Sequence, residues 1–331
     1  MPPRESSLLS LLFGIIPLIA NETAYASDAS KDRNSAVPSG GNWATKSSPT
    51  TDDQVPQFGP GSHAIEDHDY LNAMRLSVTA YGGFIHYSGE TLRRDAALLG
   101  GGGAITLEKA RLDLDFQHVD IRFSDGSDIQ QFDGTAALSW SEAEYAIRAF
   151  HHFSYDEKTS ERTMSAYGFG FTTLPSWRWR AGMEVAWSQL LLNESIIHTA
   201  QAIPFISWTW WQQESWNIAQ EISLLSSVTA DAASSQGDKY FSADSAISIG
   251  WTSFRLSACG WAGERRFAIV NQGFAAYNLP VTYDHGYGLS FAWYSTHTMV
   301  QLQAQRQSFQ HDDVSGKALS DSMILLFNAS F

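Results

Sequence analysis

Residues 177–188, Trp-Arg-Trp-Arg-Ala-Gly-Met-Glu-Val-Ala-Trp-Ser, read differently at odd and even positions. Trp177, Trp179, Ala181, Met183, Val185 and Trp187 form one set, and Arg178, Arg180, Gly182, Glu184, Ala186 and Ser188 the other. Side chains alternate across the pleat of a β-strand, so a period of two puts the sets on opposite faces, one apolar and one polar.

The same alternation recurs along the chain. Phe241, Ala243, Ile247, Ile249 and Trp251 oppose Ser242, Asp244, Ser248 and Gly250. Phe132, Ala136, Leu138 and Trp140 oppose Asp133, Thr135, Ala137 and Ser139, and Val300, Leu302 and Ala304 oppose Gln301, Gln303, Gln305 and Gln307. Between Phe116 and Val119 the apolar parity slips by one residue, which predicts a β-bulge. Short links fall near 108–110, 141–142, 175–176, 213–214, 252–253 and 295–298. Longer polar loops fall near 88–95, 124–130, 155–162, 191–198, 228–239, 264–283 and 311–319. Alternating short and long connections predict about 14 strands over residues 69–331, with 12 to 16 compatible; the Gly100–Gly103 run is among the least regular parts.

An even number of strands, short turns at one end and long loops at the other describe a transmembrane antiparallel up-and-down β-barrel, an all-β fold. A closed sheet leaves no backbone edge unpaired in lipid. The competing fold is a soluble sandwich or lipocalin-like barrel with its apolar faces inward. Fourteen polar faces turned outward would enclose an apolar interior far wider than a sandwich core about 10 Å thick. Trp177, Trp187, Trp208, Trp210, Trp216, Trp251, Trp261 and Trp293 lie near strand ends or on outward faces, as membrane-interface rings do.

Composition excludes other classes. The chain has 331 residues with 12 Trp, 12 Tyr and 19 Phe, yet only 17% are charged, against roughly 25% in a soluble domain. That aromatic content excludes general disorder, and beyond the N-terminus there is no apolar run of the roughly 20 residues a membrane helix needs. A net charge of −14 argues against a nucleic-acid partner. The single Cys259 allows no intrachain disulfide and no cysteine-based zinc cluster; no cofactor is expected.

Residues 1–26 read as a secretory signal peptide, with Arg4, an apolar stretch from Leu8 to Ala20, and Ala24-Tyr25-Ala26 as the cleavage site. Residues 27–68, rich in Ser, Pro, Gly, Thr and Asp, read as a flexible periplasmic tail. At the other end Met323, Leu325, Phe327, Ala329 and Phe331 alternate with Ser322, Ile324, Leu326, Asn328 and Ser330. This resembles the C-terminal signal of bacterial outer-membrane β-barrel proteins, in which a final aromatic residue is read by the barrel-assembly machinery. The resemblance implies that Phe327 and Phe331 form an assembly signal. It also implies a location in the outer membrane of a Gram-negative-type bacterium, with outer-membrane lipid as partner and both termini periplasmic. Long-chain fatty-acid and aromatic-hydrocarbon transporters share the 14-strand architecture and carry an N-terminal plug. Residues 27–68 lack the apolar content of a folded plug.

If the apolar faces meet lipid, the polar faces line a lumen. On the first strands these are Arg75, Ser77, Thr79, Asp113, Asp115, Asp133 and Arg148. Farther along come Arg178, Arg180, Glu184, Glu221, Asp244, Arg255 and the Gln301, Gln303, Gln305, Gln307 ladder. Both charge signs are present, which predicts weak ion selectivity. Arg178 and Arg180 are expected to form a basic ladder or to pair with Asp113 and Asp115. The expected function is passive diffusion or facilitated uptake of a small solute. The alternative is a non-conducting structural or adhesive barrel, its lumen closed by loops such as 264–283.

Catalysis would have to come from His151, His152, His297 or His311 with Ser154, Ser295 or Ser315, and no catalytic motif surrounds them. Asp125-Gly126-Ser127-Asp128 could offer oxygen ligands to calcium but reads more simply as a turn. Gly100–Gly103 lacks the Lys-Ser/Thr that follows a phosphate-binding loop.

Overall fold

The computed structural model describes residues 74–331 apart from 143, 157–160, 177, 193–194, 214–215, 232–237, 271–274, 277–280 and 312–315. The expected leader (1–26) and tail (27–68) lie outside the described residues. Alternation builds β1 (Arg75–Gly89), β2 (Arg93–Leu107), β3 (Ala110–Phe123), β4 (Asp128–Ser141), β5 (Tyr145–Asp156), β6 (Glu161–Ser176), β7 (Trp179–Leu192) and β8 (Ser195–Gln213). There follow β9 (Trp216–Asp231), β10 (Asp238–Trp251), β11 (Phe254–Arg265), β12 (Ile269–Val270), β13 (Ala275–Ala276), β14 (Val281–Tyr294), β15 (Thr298–His311) and β16 (Lys317–Ser330).

Fourteen of these close into one antiparallel barrel in chain order, while β12 and β13 pair only with each other inside the β11–β14 connection. β1 closes on β16 from Ser77↔Ser330 to Gly89↔Ala318. Leu76 and Phe331 exchange backbone hydrogen bonds in both directions below that seam.

The strands run 12 to 19 residues in the barrel, longer than the 9–11 a tilted membrane strand needs. Accordingly the polar connections are shorter than their sequence suggests. The 88–95 loop contracts to residues 90–92, and 191–198 to residues 193–194. Polar side chains mark where the wall meets water, but the backbone ladder continues past that point.

The bulge expected near Phe116–Val119 is absent: β3 pairs with β4 in unbroken register from Ala110↔Trp140 to Arg122↔Asp128. The parity slip has another cause. Toward the long-connection end the interior itself turns apolar, so Val119, Ile121 and Phe123 point inward and are buried. They join Ile85, Tyr87, Leu98, Val281, Tyr283 and Phe309 in one cluster.

Outside, the apolar face is bounded by two aromatic rows. At the short-turn rim, Trp179 stacks on Trp208 (5.8 Å between centroids) and Trp216 on Trp251 (5.4 Å). Nearer the other end, rings follow one another across β3–β8: Phe116, Phe132, Phe153, His151, Tyr167, Trp187 and His198. Trp179 and Trp187 stand eight positions apart on β7 and Phe241 and Trp251 ten apart on β10. With a rise of ~3.3 Å per residue and a strand tilt of ~40°, the band between the rows is roughly 20–25 Å tall. Charge pairs lie beyond it: Lys109–Glu142 (2.6 Å) among the turns, and Arg306 bidentate to Asp321 (2.5 and 2.7 Å) toward the opposite end. Trp261 departs from the expected outward placement. It faces inward, buried, with the Arg265 guanidinium 4.0 Å from its ring centroid.

Candidate solute site in the lumen

Alternation from the apolar outer face carries nearly every expected lumen residue inward. Asp113, Asp133, Arg148, Glu184, Ser77, Gln301, Gln303, Gln305 and Gln307 are buried there. Arg75, Thr79, Asp115, Arg180, Glu221, Asp244 and Arg255 are half-buried on the same face. Arg178 is the exception. Strand β7 starts at Trp179, and Arg178 is exposed in the β6–β7 turn, where its carbonyl accepts from Thr209 N at 2.9 Å. The two-arginine ladder therefore does not form on the inner wall.

The inward charges meet partners other than the expected ones. Asp113 is bound by Arg111 (2.8 Å) and by Arg148 (3.4 Å), which reaches from β5 past β4 to β3 and also donates to Ser139 Oγ at 3.2 Å. Arg180 donates to Glu221 Oε2 at 2.7 Å, bridging β7 to β9 across β8. Arg265, almost wholly buried, pairs with Asp244 and donates from Nε to Ser242 Oγ at 2.8 Å. Such pairs fix the wall, since a desolvated ion without its counterion is strongly unfavourable.

Asp115 belongs to a different arrangement. Tyr81 on β1 lies across β2 and donates from its hydroxyl to Asp115 Oδ2 on β3 at 2.8 Å. This crossing explains the glycine run. A Cβ at Gly100 would overlap the Tyr81 ring, and one at Gly102 would overlap the Leu114 carbonyl. Gly100 leaves room for an aromatic side chain, and Gly102 for the close approach of the β3 backbone. Asp133 accepts from Gln117 at 2.8 Å and from Gln131.

The least foreseen element is the chain between β11 and β14. Left-handed backbone at Gly263 (φ 115°) and Phe267 (φ 51°) turns it back into the barrel mouth. Phe267, Ala268, Ile269 and Val270 are buried there, with Phe267 and Ile269 packed among Phe150, Met164, Ala166 and Leu190 of the wall. Gln201 on β8 holds the segment: its Oε1 accepts from Ile269 N at 2.8 Å and its Nε2 donates to the Ile269 carbonyl. Sequence marked 264–283 as a long loop and, in the non-conducting alternative, as one that closes the lumen, but gave no signal of which residues fold inward; Gln201 was missed for the same reason. Beneath the segment a cavity of about 150 Å3 remains, bordered by Val270, Trp261, Phe205, Glu184, Gln305 and the Arg180–Glu221 and Arg265–Asp244 pairs.

The residues considered for catalysis and for calcium lie apart in the fold. His151 faces outward, stacked on Tyr167 at 4.6 Å and hydrogen-bonded to Ser165 Oγ at 3.1 Å. His152 faces inward with Nδ1 2.9 Å from Thr135 Oγ1. Ser295 and His297 lie in the β14–β15 turn, and Ser315 and the side chain of His311 lie outside the described residues. Asp125 is engaged by its own turn, accepting from Ser127 N (2.9 Å) and Oγ (2.7 Å), and these bonds hold its carboxyl below the usual carboxylate range.

No family model matches the chain, and no curated protein matches its sequence. Among solved structures it is similar to the monoaromatic hydrocarbon channel CymD, at 8% identity over 78% of this chain and 89% of that one, with a TM-score of 0.47. It is also similar to the Pseudomonas putida toluene transporter TodX (9% identity, 78% and 88% coverage, TM-score 0.43). A third is Pseudomonas aeruginosa OccK2, solved with glucuronate (9%, 78% and 96%, TM-score 0.37). At these identities the likeness is one of barrel architecture.

Proposed function

We propose that this protein is an outer-membrane channel for passive or facilitated uptake of a small solute, with both ends of the barrel chain on the periplasmic side. The apolar band of roughly 20–25 Å fits the lipid-facing belt of an outer-membrane barrel. Phe327 and Phe331, both exposed on the outer face, are available to the assembly machinery. The observation that carries the channel reading is the cavity left between a charge-compensated wall and the clamped 267–270 segment. A 14-stranded barrel has more interior than its wall side chains fill, and here the remaining space is closed by a segment held at an identifiable contact. The balanced charges favour an uncharged or weakly charged solute.

Planar-bilayer recording of refolded protein tests this reading. Discrete conductance, larger or more frequent in Gln201→Ala, supports a channel. The burial of residues 267–270 also fits a structural barrel that conducts nothing. Silence in correctly folded wild type, in Gln201→Ala and in a variant with residues 267–277 replaced by a short Gly-Ser turn selects that second reading.

A further inference from the structure

We propose that the cavity under the 267–270 segment is a binding site for an uncharged, single-ring, hydroxylated molecule. The inference deepens the channel reading and rests on it only in calling the ligand a transported solute.

Besides Arg148 and Arg265, whose guanidinium groups are held in ion pairs, three side chains around this cavity carry polar atoms without hydrogen-bond partners: Glu184 Oε1, Gln305 Nε2 and Trp261 Nε1. Glu184 and Gln305 are each 8% exposed and Trp261 6%, so bulk water does not satisfy them. Leaving such groups unpaired is unfavourable, and a ligand that pairs them recovers that loss. The three come from β7, β15 and β11, the last two flanking β14 and the first four strands away from β11, and they border one space. One offers an acceptor and two offer donors. A hydroxyl group can both donate and accept, so a molecule with two hydroxyls can meet all three.

Charge selects against ions. The guanidinium groups of Arg180 and Arg265 are matched by Glu221 and Asp244. Arg148, paired with Asp113 beyond the cavity, and Glu184 are the other charged side chains of the lining. Three arginines and three carboxyl side chains line the site in balance, and an ionic ligand would have to break a pair.

Size and walls select the body of the molecule. About 150 Å3 matches the volume of an engineered cavity that accepts benzene. Phe205, Leu225, Ile203 and Val270 supply apolar wall, which a sugar would leave unpaired with its hydroxyls. Gly170 contributes open space: a Cβ placed there would meet only the Arg148 Cβ, at 3.9 Å.

The test uses the full-length barrel refolded in detergent micelles, titrated calorimetrically with resorcinol and, for comparison, glycerol and benzoate. Cys259 borders the same cavity and is the chain's one cysteine, so protection from a small thiol reagent gives a second readout at a single position. Expected are saturable resorcinol binding, slower Cys259 labelling in its presence, and weaker glycerol and benzoate binding. Gly170→Val fills the cavity without a backbone clash and should weaken resorcinol by about tenfold or more. Trp261→Phe keeps the ring but removes the N–H, and should weaken resorcinol by about fivefold to tenfold. Both variants are checked for heat-modifiable mobility, the gel signature of a folded barrel. Tighter glycerol binding overturns the single-ring assignment, and tighter benzoate binding overturns the neutrality argument. Absence of resorcinol binding to folded wild type, or binding unchanged in folded Gly170→Val, overturns the site. Conductance measured in parallel separates the two readings: conduction without binding sinks this site alone, and binding with silence in wild type, Gln201→Ala and the 267–277 replacement sinks the channel.

Discussion

Gln201 holds the backbone of Ile269 at both of its polar groups, accepting from the N–H at 2.8 Å and donating to the carbonyl. A side-chain amide here does what a neighbouring strand does elsewhere in the barrel, and it does so in a buried place where water cannot substitute.

Gln201→Ala is therefore expected to loosen the segment more than the barrel. Two buried backbone groups lose their partner, at about 1–3 kcal/mol each. Hydrogen exchange should show the Ile269 amide losing protection while the β7–β8 ladder keeps its own. Unchanged protection at Ile269 would show that apolar packing alone holds the segment.

Gly100 and Tyr81 form a second pair whose disturbance can be read. Gly100→Ala pushes a methyl into the Tyr81 ring and is expected to displace the hydroxyl from Asp115. Overpacking of this kind costs about 1–3 kcal/mol. If the methyl breaks the hydroxyl–Asp115 bond, Tyr81→Phe in the Gly100→Ala background should add less destabilisation than Tyr81→Phe alone, as measured by urea unfolding. Additive losses would remove the link.

Ion selectivity should follow pairing, not the number of arginines. Arg180→Gln leaves Glu221 without its 2.7 Å partner inside the lumen, and the reversal potential in a salt gradient is expected to move toward cation preference. Arg178→Gln changes an exposed turn residue and should move it less. The opposite ranking would place Arg178 in the conducting path.

The rim pair Lys109–Glu142 carries a pH dependence. Hydrogen bonds from Lys109 Nζ and Trp140 Nε1 hold the Glu142 carboxyl below the usual glutamate range. A depressed carboxylate contributes its stabilisation above its unfolded-state pKa and loses it as pH falls through the folded-state value. Acidification should thus loosen the β2–β3 and β4–β5 turns, seen as faster exchange of the Ser141 and Glu142 amides. Glu142→Gln should flatten that response. An identical pH profile in the variant would assign it elsewhere.

Much of the barrel was legible because one signal, alternation, is written into every strand. The outward Phe241–Trp251 face, the inward glutamines of β15 and the six short turns all followed from it. What failed had physical reasons. Polar residues at the long-connection end were read as loop because polarity reports contact with water, whereas strand pairing depends on the backbone. The Val119–Phe123 parity slip was read as a bulge because an apolar patch inside a polar lumen imitates a register change. Pairing partners such as Arg148–Asp113 and Arg180–Glu221 span an intervening strand, a relation set by tilt and side-chain length that spacing along the chain does not encode. The inward fold of residues 266–270 rests on two left-handed positions and one distant glutamine, none of which has a sequence pattern of its own.

The aromatic row on the outer face has a mechanical consequence. Gln201 pairs across the β7–β8 ladder with Ala186, and Trp187 with Ala200, so the clamp inside the barrel and the ring outside it stand at the same height on the same two strands. In the proposed membrane setting, headgroups that seat Trp187 would also set the level of the 267–270 segment, and a thinner or thicker bilayer would strain both together, through a wall one β-sheet thick.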